Sequence, residues 1–476
     1  MPHYQVHELG GFFKPESIAV IGVSREIASL GGTSFLQRHL DAEYAGRLYP
    51  INPKASEILG LKAYPSLSSL PEVPDLVMIA VRADLVPASL EECARKGVRY
   101  VHVLTAGFSE TGTREGRELE KQLADVAEQH NLLVMGPNCM GPYCPASRLT
   151  AWGAIPGRDG HLGVISQSGG ITQRFTEYVS SLGMDVSKAA SIGNATVLDS
   201  PDFLEFMAGD DDIRLIAIYQ ENIRNGRRFF DLARELSPRK PIVMLKGGES
   251  EQGAATVESH TGRMAGNQRV WKAFFKQTGV VPVSNMNEWA DACLTFSYLP
   301  KTRGRGVFII GGGGGNSVIS SDACIRAGLD VPKLSPKSME GIRPFVPAAG
   351  SIAGNPLDHW ELFLNPELLL KVLDIAYADP GISMVIVDRL IPRIAFHGPG
   401  FPDAVPEITG FIKTHPHRKP TVFTVDYDGG DPDLIRKGSL LRSRFCEAGV
   451  PAFPSFERAI GALARFQKYC NYFASL

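Results

Sequence analysis

The sequence predicts an α/β protein built from three successive parallel sheets, each wrapped by helices. Three observations predict it: short apolar β-rich runs recur at regular intervals, amphipathic helical patterns stand between them, and the alternation stops and restarts twice. In order, the first series of strand candidates is SIAVIGV (17–23), DLVMIAV (75–81), YVHVLTA (100–106) and LLVMG (132–136). Helical patterns such as PASLEECARKG (87–97) and REGRELEKQLADVAEQH (114–130) separate them. A turn-rich stretch follows, and LGVIS (162–166), LIAIY (215–219) and PIVMLKGG (241–248) begin a second series. The basic, glycine-containing hinge PKTRGRG (300–306) precedes the third, with VFIIGG (307–312), SMVIVD (383–388), PTVFTVD (420–426) and a closing amphipathic helix near 456–473. The expected domains are therefore 1–146, 147–300 and 301–476, in keeping with a chain of 476 residues.

Composition narrows the function. Lys and Arg number 49 against 51 Asp and Glu, and no stretch concentrates basic residues along a groove, so nucleic acid is not an expected partner. Seven scattered cysteines with no CxxC pair read as reduced thiols rather than a disulfide framework or a zinc site, and no metal site is expected. The polar first ten residues and the lack of any long uncharged apolar run predict a cytoplasmic chain with no membrane partner.

Three strand-to-helix turns carry candidate chemistry. After SIAVIGV, Gly22 and Ser24 lead toward a helix whose N-terminus can meet a phosphate. The full GxGxxG is missing, and the next strand ends in Asn52, Pro53 and Lys54 rather than in the acid that grips an NAD ribose. Lys54 offers a point charge suited to the phosphorylated nucleotide half of coenzyme A, and reads equally as a lysine on an exposed turn. The second turn, GVISQSGG (163–170), presents Gln167, Ser168, Gly169 and Gly170 as an anion cradle. It lacks the glycine before the serine that a nucleophile elbow needs. The third turn carries five glycines (311–315) and Asn316 between a strong strand and a strong helix, which points to a second cradle rather than a linker. Between the cradles, ESHTGRMAG (258–266) holds His260 among small residues that leave room for a phosphate. A neutral imidazole accepts a phosphoryl group well when a carboxylate fixes its tautomer, and Glu221, at a strand end, is a candidate for that holder.

Read together, SIAVIGVS, YPINPK, GLKAYPSL, TAGFSETG, GPNCMG, GVISQSGG, the Tyr219 to Glu221 triplet, SHTGRMAG, the glycine run and GNPLDHW extend through nearly the whole chain. In this order they resemble the α subunits of ADP-forming acetyl-CoA and other acyl-CoA synthetases, relatives of succinyl-CoA synthetase. The resemblance implies an N-terminal Rossmann-like CoA-binding domain and two flavodoxin-like domains. It implies coenzyme A contacts at Gly22, Ser24, Asn52, Pro53, Lys54, Val81, Thr105, Asn138 and Cys139. By the same carry-over His260 is the phosphorylated histidine, Glu221 its stabilising acid, Gln167 to Gly170 the first phosphate-binding helix start, and Gly313, Gly314, Gly315 and Asn316 the second. The implied reaction converts acyl-CoA, phosphate and ADP reversibly into acid, CoA and ATP through an acyl phosphate and a phosphohistidine. ATP or ADP and Mg2+ then belong to an ATP-grasp module. No segment reads as one, so a separate β subunit is expected beside the small carboxylic acid or acyl-CoA substrate.

The sequence departs from that pattern at Arg82, Asn222 and Arg263. These changes point toward a substrate other than acetate or a divergent paralogue. Rival readings on the same fold are a CoA transferase or acyl-CoA lyase, and a non-catalytic CoA-binding regulator.

Overall fold

The computed structural model describes residues 4–26, 31–152, 160–261, 266–311, 313–347, 351–390, 404–426 and 430–475, without the side chains of 259–261 and 389–390. The chain divides into two compact units. One comprises residues 1–180 and 185–284, the other residues 181–184 and 285–476.

The first unit contains two sheets. Strands β1 (Ser17–Ile21), β2 (Arg47–Ile51), β5 (Leu76–Ile79), β6 (Tyr100–Val103) and β7 (Leu133–Met135) form the first, in the order β2-β1-β5-β6-β7 and parallel throughout. A small antiparallel hairpin, β3 (Glu57–Ile58) and β4 (Leu61–Lys62), lies against β2 at the edge of that sheet. Strands β1, β5 and β7 are buried along their whole length, which is why they read as unbroken apolar runs instead of alternating ones.

The second sheet is β13-β12-β11-β9-β10-β8, from β8 (Gly141–Tyr143), β9 (Leu162–Ser166), β10 (Val186–Ser191), β11 (Leu215–Gln220), β12 (Ile242–Lys246) and β13 (Val281–Val283). Only β8 runs antiparallel, against β10. Residues 141–143, which the sequence reading grouped with the first domain, thus supply an edge of the second sheet. Three buried rings seat this crossing: Tyr143 stacks on Trp152 at 5.1 Å, and a Cβ on Gly141 would sit 2.6 Å from the His102 ring.

In the second unit β14 (Val307–Gly311), β15 (Leu357–Asp358), β16 (Met384–Leu390), β17 (Thr421–Asp426) and β18 (Ala452–Phe453) pair in parallel as β15-β14-β16-β17-β18. The helix Met286–Tyr298 packs on the helix Phe456–Ala474 in this unit. Arg458 clamps the buried Asp291 between them with two hydrogen bonds of 2.6 and 2.7 Å.

Numbered along the chain, the parallel strands of all three sheets fall in one order, 2-1-3-4-5. Such a sheet reverses its winding beside its first strand, and the crevice beyond the strand ends at that point is where ligands bind. The reversal lies between β1 and β5, between β9 and β11, and between β14 and β16. These are the turns that hold Gly22, the GVISQSGG segment with Glu221, and the glycine run.

Candidate functional site: a cleft shared by two sheets

The turn after β1 must pass close beneath the end of β5. Gly22 has φ +94°, and a Cβ there would lie 2.3 Å from the Ala80 carbonyl oxygen, so no side chain fits. Around it, the Ser24 amide donates to Thr33 Oγ1 at 2.8 Å, and Thr33 Oγ1 donates back to the Ser24 carbonyl at 3.0 Å. Asn52 Nδ2 donates to the Val23 carbonyl at 2.7 Å while its Oδ1 accepts the Lys54 and Ala55 amides at 2.8 and 2.9 Å. Asn52 is therefore the brace that ties the end of β2 to the glycine turn. Pro53 and Lys54 lie on the exposed turn it organises.

Beyond β5 and β6 the Thr105 hydroxyl donates to the Val81 carbonyl at 2.6 Å, and the Asn138 amide donates to the Thr105 carbonyl at 2.9 Å. Asn138 holds a left-handed φ of +57°, and its side-chain amide donates to Asn194 Oδ1 at 3.3 Å. Cys139 is buried, and burial pushes its thiol well above the usual range, so it is a wall rather than a nucleophile.

The second sheet adds the candidate anion cradle. Ser168 precedes the helix Gly169–Ser181; its amide donates to Ser166 Oγ at 3.1 Å and its carbonyl accepts the Thr172 amide at 2.9 Å. Gln167 turns its side chain across the winding reversal, where Oε1 accepts the Glu221 amide at 2.7 Å and the Asn222 amide at 2.9 Å. That clamp carries the buried Glu221 to the same end of the sheet as Ser168. Glu221 Oε1 accepts the Tyr219 hydroxyl at 3.0 Å, and burial with the adjacent carboxylate raises the Tyr219 phenol far above its ordinary value.

A single cleft of about 440 Å³ gathers some of these parts, while Gly22, Ser24, Asn52, Pro53, Lys54 and Glu221 are not among the residues that line it. Val81, Thr105, Asn138 and Cys139 line one side; Gln167, Ser168, Gly169 and Gly170 line the other. Gly31, the residue capping the helix Gly32–Asp41, also lines it, and nothing lies within 4 Å of a Cβ built on Gly31 or Gly170. Two helix N-termini thus open into one cleft, each contributing roughly half a positive charge. Sequence reasoning named none of Gly31, Ala80, Leu104, Ala106 and Met140 as site residues, although all five line this cleft. The doublet Gly31-Gly32 was the signal that could have found the first.

His260 lies in the helix Glu251–Thr261, and its side chain is outside the described residues. That helix packs against the turn Ser109–Thr111, which continues the segment from Thr105 and Ala106 in the cleft wall. Arg263 also lies outside the described residues. Arg82 is exposed and paired with Asp84 at 2.6 Å, whereas Asn222 is buried, with Oδ1 3.5 Å from Gln167 Nε2. In the second unit Gly313 takes φ +102° ahead of the helix Gly314–Arg326, Gly314 and Gly315 are exposed, and Asn316 is half-buried. The Gly313 amide donates to Asp358 Oδ1 at 2.6 Å, so an acid of the GNPLDHW motif already faces this glycine turn. No helix among the described residues is long and apolar enough to cross a membrane.

Comparison with known proteins defines the class first. Residues 16–145 match a CoA binding domain, residues 159–296 a succinyl-CoA ligase like flavodoxin domain, and residues 307–428 a ligase-CoA domain. The chain is thus built of the domains of a CoA-binding, succinyl-CoA ligase-like α/β protein. The α subunit of ADP-forming acetate–CoA ligase I from Pyrococcus furiosus is 33% identical over 472 residues, 98% of either chain. This chain belongs to the family of α subunits of ADP-forming acetate–CoA ligases. ADP-forming acetate–CoA ligase I from Archaeoglobus fulgidus is 36% identical over 347 residues, 73% of this chain, and those residues make up only 50% of that longer relative. Among solved structures, the dinucleotide forming acetyl-coenzyme A synthetase 1 of Ca. Korarchaeum cryptofilum, in complex with phosphate and ADP, superposes with TM-score 0.84 at 30% identity. The superposition covers 98% of this chain and 99% of that one.

Proposed function

We propose that this chain binds coenzyme A in the cleft between its first two sheets and carries the phosphoryl group of an ADP-forming acyl-CoA synthetase on His260. One observation carries the reading: the wall expected to meet the cofactor and the cradle expected to hold phosphate line the same cleft of about 440 Å³. Phosphate held by Ser168, Gly169 and Gly170 attacks the thioester carbonyl of an acyl-CoA, the C–S bond breaks, and CoA leaves from an acyl phosphate. The His260 imidazole then attacks phosphorus, the P–O bond breaks, and the carboxylic acid departs. Glu221 holds the other imidazole nitrogen protonated and stabilises the cationic phosphoimidazole. The cleft fits a phosphorylated ligand: its helix ends are open at Gly31 and Gly170, where nothing lies within 4 Å of a built Cβ.

In this reading Gly313 to Asn316 form the second phosphate site, reached when the phosphohistidine passes its phosphoryl group to ADP. Magnesium and the nucleotide belong to a separate ATP-grasp β subunit in the cytoplasm, a division of labour supported by relatives named as α subunits. The acyl group is a small carboxylic acid, and acetate is the acid named for the two relatives described above.

Incubation of the chain with labelled phosphate and a panel of acyl-CoA thioesters tests the proposal. The expected product is an acid-labile, base-stable protein phosphate that is lost in His260→Asn and reduced in Glu221→Gln. Tight CoA binding with no label from any thioester would instead support the regulatory reading.

A further inference from the structure

Lys246 ends β12 and is only 5% exposed. Its Nζ donates to the backbone carbonyl of Glu221 at 2.9 Å and to that of Gly247, and it lies 5.1 Å from the centre of the Trp271 ring. Gly247 is the next residue of the chain, and the other two partners come from different places. Glu221 is the candidate acid beyond β11, Gly247 begins the excursion that includes the helix Glu251–Thr261, and Trp271 stands on the helix Gln268–Thr278, where that excursion returns. The two roots of the excursion are also tied directly, by Gln268 Nε2 donating to the Glu249 carbonyl.

The packing at this junction is close enough to need glycine. A Cβ on Gly247 would lie 2.7 Å from the Tyr219 hydroxyl and 3.4 Å from Glu221 Cγ, and one on Gly266 would lie 3.1 Å from Trp271 Nε1. We infer that Lys246 is a positioning residue: its ammonium clamps the Glu221 turn to both roots of the segment that carries His260, and so sets the acid against the phosphoryl carrier. This rests on the function proposed above.

The charge matters as well as the length of the side chain. An ammonium offers three donors and attracts both the indole face and nearby carboxylates, whereas a neutral amine keeps two weaker donors. The titratable groups facing Lys246 are Tyr219 and Glu221 from the end of β11, Glu249 from the outgoing root, and Lys272 from the helix Gln268–Thr278; β13 contributes the uncharged Pro282. Burial pulls the ammonium down to about 8, against the opposing attraction of Glu221 and Glu249. The clamp is therefore complete at neutral pH and loses its charge as pH rises through about 8.

The test compares the wild-type chain with Lys246→Arg and Lys246→Met in two measurements. Amide exchange of peptides covering residues 219–225 and 247–258 is expected to rise roughly tenfold in Lys246→Met, to stay near wild type in Lys246→Arg, and to leave peptides of the first sheet unchanged. Phosphate labelling from acyl-CoA is expected to fall about tenfold in the wild type between pH 7 and 9.5, to lose that fall in Lys246→Arg, and to be low at every pH in Lys246→Met. CoA affinity should be the same in all three. Unchanged exchange in Lys246→Met, or a wild-type fall near pH 8 in Lys246→Arg, would overturn the inference. Should Lys246→Met fail to fold, the Lys246→Arg profile decides alone. An unlabelled wild type counts against the proposed function, and the exchange measurement then decides the clamp by itself.

Discussion

Gly22 carries no side chain because the end of β5 leaves room for none: at φ +94° a Cβ would be driven to 2.3 Å from the Ala80 carbonyl oxygen. Strain of this kind at a backbone carbonyl is not relieved by rotating a side chain, so either the turn or β5 must move. Gly22→Ala is expected to cost about 2–4 kcal/mol in chemical unfolding and to weaken CoA binding together with stability. An alanine variant of wild-type stability and CoA affinity would show that the turn has slack. Asn52 illustrates a different relation between residue and role. The sequence marks it as one of several contacts at a strand end, while the geometry makes it the brace of the glycine turn, with Pro53 and Lys54 set on the exposed loop it holds. Its hydrogen bond to the Val23 carbonyl reaches across 29 positions, and spacing along the chain carries no trace of that reach.

At the scale of elements, the winding reversal between β9 and β11 is closed by one side chain. Gln167 Oε1 accepts the amides of Glu221 and Asn222, both buried, and removing it leaves two donors without that acceptor at about 1–3 kcal/mol each. Gln167→Leu is therefore expected to lower stability by about 2–4 kcal/mol and to reduce phosphate labelling more than CoA binding, measured by chemical unfolding, labelling and calorimetry on the same preparation. Equal loss of labelling and CoA affinity would mean that the glutamine serves the cleft as a whole. The strand-to-helix turns themselves were legible, because a buried parallel strand followed by Ser, Gly and Asn advertises its own end. The edge strand β8 was not legible: Gly141–Tyr143 is three residues long, includes a proline, and pairs only because β10 lies open beside it.

Over the whole molecule, one strand order used three times accounts for the alternation that the sequence displays, and it brings the Gly22 turn's neighbours and the Ser168 cradle to one cleft. The first sheet carries an acid sensitivity of its own. His39 and His102 are fully buried, each with one ring nitrogen at a backbone carbonyl, Phe35 at 2.7 Å and Cys139 at 3.0 Å, and burial lowers both to about 4. Unfolded, each takes up a proton near pH 6.5, so the unfolded chain binds more protons between that pH and about 4. Stability is thus full above pH 6.5 and declines as pH falls toward 4, by at most about 3 kcal/mol for each histidine. Urea unfolding followed across pH 7 to 4 checks this, and His39→Leu should remove its share of the slope; an unchanged slope would clear His39 of the effect.

By itself the sequence determined the class of fold, the three strand-to-helix turns and the family, because each is written in contiguous residues: apolar runs, glycines at their ends, and a histidine among small neighbours. Only the tertiary structure decided which of these meet. It put Val81, Thr105, Asn138 and Cys139 opposite Gln167 to Gly170 and added the helix start at Gly31. It also gave the Gly313 amide to Asp358 and drew Lys246 between Glu221 and Trp271. The physical reason is common to all of them: hydrogen bonds and close packing act through space, between strand ends that neighbour each other in the sheet and lie far apart along the chain.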